Sequence, residues 1–151
     1  MWFLDHGASP NVVSGSWSHS ALDAAANFSS PEAIAVLLEH GAIINNTNAL
    51  HKAVRSTSRG RREVVEFLLD SGVDIDAIEF GLHRPSAVQN HGTALHYAAS
   101  HGREDLVQLL LDRGASTAIR DRAQRTAEEV AKRVGYTRIA MRLSGELGEG
   151  I

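Results

Sequence analysis

The sequence predicts an all-α solenoid of stacked helix-turn-helix units, about three of them complete, with partial units at both ends and hairpin-like finger loops between. Three observations carry this. One segment recurs: "SALDAAANFSSPEAIAVLLEHGA" from Ser20, "NALHKAVRSTSRGRREVVEFLLDSGV" from Asn48 and "TALHYAASHGREDLVQLLLDRGA" from Thr93 share one register. Within each copy, apolar residues fall at helical spacing: Ile34, Leu37 and Leu38; Val64, Val65, Leu68 and Leu69; Leu106, Val107, Leu110 and Leu111. Each copy then closes on a glycine, Gly41, Gly72 or Gly114, where a left-handed residue ends a helix.

The elements follow in order. "WFLDHGASPN" from Trp2 matches "VLLEHGAIIN" from Val36, so the chain opens inside the second helix of a partial unit, residues 1–13. Complete units span about 14–45, 46–76 and 90–118, with short first helices over Ala21 to Asn27, Ala49 to Arg55 and Ala94 to His101. Signature Leu to closing Gly is 19 residues in the first and third copies and 22 in the second, where "STSRGR" adds three. "TAEEVAKRVGYTRIAMRL" opens a final unit, 119–143, with Glu128 where the others carry Leu22, Leu50 and Leu95. A polar residue at that buried position marks a capping unit whose outer face meets water. Residues 144–151 form a tail. Units of this size cannot bury their own apolar face, so neighbours must stack.

Composition narrows function. The 151 residues suffice for one domain, and 43% apolar with 22% charged residues is ordinary globular chemistry. A net charge of −3 argues against a nucleic-acid partner. All fifteen Lys and Arg lie between Lys52 and Arg142, leaving the first third mildly acidic. The lack of cysteine removes disulfides, thiolate metal sites and thiol nucleophiles, and fits an intracellular setting, cytoplasmic or nuclear. No signal sequence and no run of membrane-spanning length is visible, so no membrane partner is expected.

The recurring "TALHYA", "NALHKA", "SALDAA" and "TAEEVA", with both apolar stripes and the closing Gly, resemble the ankyrin repeat, whose signature is Thr-Pro-Leu-His-x-Ala. Ala replaces its Pro each time, and the resemblance covers about residues 1–143. It implies a helix-start clamp for His51 and His96, with Asp23 as a short capping acceptor in the first full copy. His6 and His40 fall just before a closing Gly, at the negative end of the helix dipole.

The resemblance also implies a non-catalytic protein-interaction module that binds a protein or peptide partner through its concave face and fingers. Mapped by register, that surface holds Trp17, His19, Lys52, Arg55, Tyr97, His101, Arg122 and Arg125. Arg120, Arg122, Arg125, Lys132 and Arg133 would offer a basic rim to an acidic peptide. Finger lengths depart from the usual spacing of about 14 residues between closing Gly and next signature Leu. Gly41 to Leu50 is 9 and Gly72 to Leu95 is 23, so a notch beside a long finger is expected. That finger, 73–92 with its extended loop at 77–92, carries Asp74, Asp76, Glu79, Phe80, His83, Arg84 and His91.

The rival expectation is an unusual small enzyme or small-molecule-binding protein using a pocket beneath finger 73–92. No motif with a defined mechanism supports it. His91, His96 and His101 are five apart and share no helical face, no metal or cofactor is implied, and "SGELGEGI" follows a helix where a phosphate loop precedes one. The first unit lacks its first helix, which predicts either upstream sequence or self-association through an uncovered N-terminal end.

Overall fold

The recurring register becomes recurring helix pairs. The computed structural model describes residues 2–12, 20–45, 47–79 and 92–146, with backbone alone for Trp2 and Phe3. In chain order the helices are α1 (Trp2–Asp5), α2 (Ala21–Phe28), α3 (Pro31–Glu39), α4 (Ala49–Arg55), α5 (Arg61–Asp70), α6 (Ala94–Ser100), α7 (Glu104–Asp112), α8 (Ala127–Val134) and α9 (Thr137–Leu143). Among the described residues there is no strand, and no helix is long and apolar enough to cross a membrane. The chain divides into two compact units, Met1–Asp74 and Ile75–Ile151.

In the first unit α2 pairs with α3 and α4 with α5, and α2 stacks on α4. The shared core is Leu22, Ala25, Ala26 and Ile34 with Ala49, Leu50, Ala53, Val54, Val64, Val65 and Leu68, each at most 6% exposed. Alanines on the facing sides of α2 and α4 let these short helices approach closely; larger side chains would hold them apart. In the second unit α6 pairs with α7 and α8 with α9, while α6 stacks on α8. Leu95, Leu106, Val107, Leu110, Val130 and Ile139 fill that core.

The apolar stripes are narrower than the sequence suggests. Leu37, Leu38, Leu69 and Leu111 are half-buried, and in α7 the buried fourth position is Leu109. Those residues sit at the edge of the helix face, where a neighbour covers one side only.

Gly41, Gly72 and Gly114 adopt φ of 86°, 87° and 85°. The residue after each reaches five back, as in Ala42 N–H to Leu37 O at 2.8 Å and Ala115 N–H to Leu110 O at 2.9 Å, which closes the helix end. Nothing lies within 4 Å of a Cβ added there, so the dihedral and not space demands glycine.

Candidate partner-binding surface

The polar residues of the signature are spent first on starting helices. Ser20 Oγ accepts from Asp23 N–H at 3.1 Å and Asp23 Oδ2 accepts from Ser20 N–H at 3.1 Å, a reciprocal capping box on α2. Thr126 and Glu129 form the same box on α8, at 2.8 and 3.3 Å. On α6 the third residue is His96: its Nδ1 accepts from Thr93 N–H at 3.1 Å, so the proton resides on Nε2, which donates to Arg125 O at 2.9 Å. One neutral imidazole thus caps its own helix and holds the next finger. Burial pushes its pKa below the ordinary histidine value, consistent with that tautomer. The second copy departs from this pattern: Asn48 before α4 has φ −95° and ψ 19°, not the extended backbone of Ser20, Thr93 and Thr126, and His51 is buried at 2% exposure.

The finger at 120–126 is fixed by a second network. Asp121, 2% exposed, accepts from Arg125 N–H at 2.9 Å and from Arg125 Nε and Nη2 at 3.0 and 2.8 Å. Burial alone would raise this carboxyl; the Arg125 side-chain and backbone donors outweigh it and hold the pKa below the usual range. Gln124 turns the tip at φ 61°, and its carbonyl accepts from Arg120 at 2.6 Å.

Several site expectations are corrected by these placements. Tyr97 is buried at 4% exposure, with its hydroxyl donating to Glu79, itself 6% exposed. It therefore anchors the base of the long finger, where Glu79 N–H also bonds Gly92 O at 3.1 Å. Asp76 is likewise structural: its Oδ1 accepts from Ser116 N–H at 2.9 Å, tying one finger to the next. Arg125 is half-buried and committed to Asp121. Of the expected basic rim, Arg120 pairs with Glu129 at 3.3 Å and Lys132 with Glu128 at 2.6 Å, which leaves Arg122 and Arg133 exposed.

His101 lies exposed at the end of α6, its Nδ1 bonding Tyr97 O at 2.9 Å, and Lys52 and Arg55 are half-buried on α4. Trp17, His19, Phe80, His83, Arg84 and His91 lie outside the described residues. The structure therefore leaves Lys52 and Arg55 in the first unit, and His101 and Arg122 in the second, as reachable members of the expected surface.

Two kinds of residue escaped sequence reasoning. Asn11 bridges fingers with its amide: Nδ2 donates to Gly41 O and Oδ1 accepts from Ile43 N–H, both at 2.8 Å. Its signal was in the sequence, since Asn11, Asn45 and Asp76 each fall four residues after a closing Gly. The other is the residue opening the second helix. Arg61, 5% exposed, reaches back to donate to Ala26 O at 2.8 Å and Ser29 O at 2.6 Å. Tyr136, at the matching place before α9, lies over Gly102, where an added Cβ would sit 2.7 Å from its ring.

Comparison with known families agrees with this architecture. A family model described as "Ankyrin repeats (3 copies)" matches residues 1–79, and one described as "Ankyrin repeats (many copies)" matches residues 50–111. The chain belongs to the ankyrin-repeat family. Among individual proteins, this ankyrin-repeat chain is 37% identical over 73 residues to the E3 ubiquitin-protein ligase hecd-1 of Caenorhabditis elegans, covering 48% of the chain and 2% of that protein. It is 33% identical over 85 residues to the putative E3 ubiquitin-protein ligase XBAT34 of Arabidopsis thaliana, covering 56% and 21%. It is also 37% identical over 70 residues to the human NAD-capped RNA hydrolase NUDT12, covering 44% and 15%. The ankyrin segment thus spans at most about a fifth of these relatives.

Proposed function

We propose that the chain is a non-catalytic interaction module that binds a protein or peptide through the exposed side of its first helices and its finger loops. Ankyrin repeats are generally protein-binding modules. The observation that carries the reading here is where the chemistry-bearing side chains go. His96, Tyr97, Glu79, Asp121 and Arg125 are consumed in starting helices and fastening fingers, which leaves recognition groups on the outside. The relatives add a second support: proteins named for ubiquitin ligation and for RNA-cap hydrolysis share the same repeat. Each aligns with about half of this chain and about a fifth or less of its own length, while the named chemistry differs.

The test begins with the immobilised chain capturing partners from cell extract, after which the purified partner is titrated calorimetrically. Reversing two charges of this surface, Lys52→Glu with Arg122→Glu, should weaken binding about tenfold, the sum expected for two rim contacts. Unchanged affinity for that pair would remove the proposed surface from consideration.

A further inference from the structure

The first unit carries a second recognisable feature, at the turns joining α2 to α3 and α4 to α5. Between these turns lies a pocket of about 480 Å³ lined by Phe28, Pro31, Glu32, Arg59, Gly60 and Glu63, among others. Phe28 is 76% exposed, the highest value among the large apolar side chains described, and it lines this pocket. The fold has no use for that ring, because the same helix is already buried through Leu22, Ala25 and Ala26. The three-residue insertion of the second copy supplies the opposite wall, where Gly60 turns at φ 71°.

The pocket's lining carries two carboxylates and two guanidiniums, which differ in where they face. Arg61 also lines it, but its guanidinium is turned inward onto Ala26 O, Ser29 O and Arg59 O. Glu32 and Glu63 are exposed carboxylates, one from each adjoining helix. A hydrogen bond from Ser30 and the Glu32 backbone hold the Glu32 carboxyl below its usual pKa, so it stays anionic. Arg59 is an exposed lining cation and opposes them. An aromatic face with two carboxylates suits a planar cation, which stacks on the ring while its N–H groups meet the oxygens.

We propose that this pocket receives an arginine side chain from an extended peptide segment of a partner protein, its guanidinium set between Glu32 and Glu63 and against Phe28. The site is separate from the surface assigned above, and either can fail without the other.

The full chain, labelled with ¹⁵N, is titrated with the peptide Ac-Gly-Leu-Arg-Leu-Gly-NH₂ and with versions carrying citrulline or Glu for Arg. The arginine peptide should shift amides within 29–33 and 58–64, and the other two should not. Glu32→Gln with Glu63→Gln should weaken it about tenfold, and Arg59→Gln should strengthen it about threefold. Phe28→Ser, at a side chain the core does not use, should weaken it about fivefold with an unchanged melting temperature. No shift at those amides at millimolar peptide, equal response to the glutamate peptide, or indifference to the carboxylate pair overturns the proposal. Tighter binding of the glutamate peptide would mark an anion site and overturn it equally.

Discussion

At the scale of single residues, the two best-defined histidines respond to pH in opposite senses. His40 bonds Val36 O at 2.8 Å and Asp5 at 3.1 Å, and the Val36 carbonyl above all raises its pKa above 6.5. Its contribution is complete below about 6.5 and disappears as pH rises through the folded value. His96 is pushed below 6.5 by burial, so the unfolded chain takes up a proton first. Acidification from about 6.5 downward therefore costs stability, until the folded imidazole is itself protonated. NMR titration should place the two midpoints on opposite sides of 6.5; coincident midpoints would contradict both environments. The clamp role of His96 was implied by the resemblance of its signature to the ankyrin repeat. Tyr97 was misread because its burial depends on Glu79, 18 residues earlier, and local spacing cannot report that contact.

At the scale of elements, the sequence shows helices, their glycine ends and their pairing, because period and turn chemistry are local. It does not show what reaches back from the next copy. Gly102 has φ 68° and also carries the Tyr136 ring, whereas Gly114 has only its dihedral to satisfy. Gly114→Ala should cost about 1–2 kcal/mol, the penalty of a left-handed alanine. Gly102→Ala should cost about 1–3 kcal/mol more through crowding. Combining it with Tyr136→Ala should recover part of that excess, as read from a double-mutant cycle in urea. Additive losses would mean that the ring and the glycine do not meet.

At the scale of the molecule, a repeat array should show damage locally, since each copy feels its neighbours and little else. Arg61→Ala strips hydrogen bonds from Ala26 O and Ser29 O in the first unit, at a cost of about 2–4 kcal/mol. Tyr97→Phe leaves the Glu79 carboxylate without its hydroxyl donor in the second unit, at about 1–3 kcal/mol. Native-state hydrogen exchange should record the first loss in α2 to α5 and the second in α6 to α9. Uniform deprotection by either variant would instead indicate one cooperative block. The fastenings between copies have one further property. Asn11, Arg61, His96 and Asp76 all grip main-chain groups of the adjoining copy. A main-chain group is the same whatever residue carries it. A copy can therefore be duplicated, exchanged or allowed to drift without a matching change next door. Side-chain pairs such as Asp5 with His40, Tyr97 with Glu79 and Glu104 with Arg142 instead require two residues to change together.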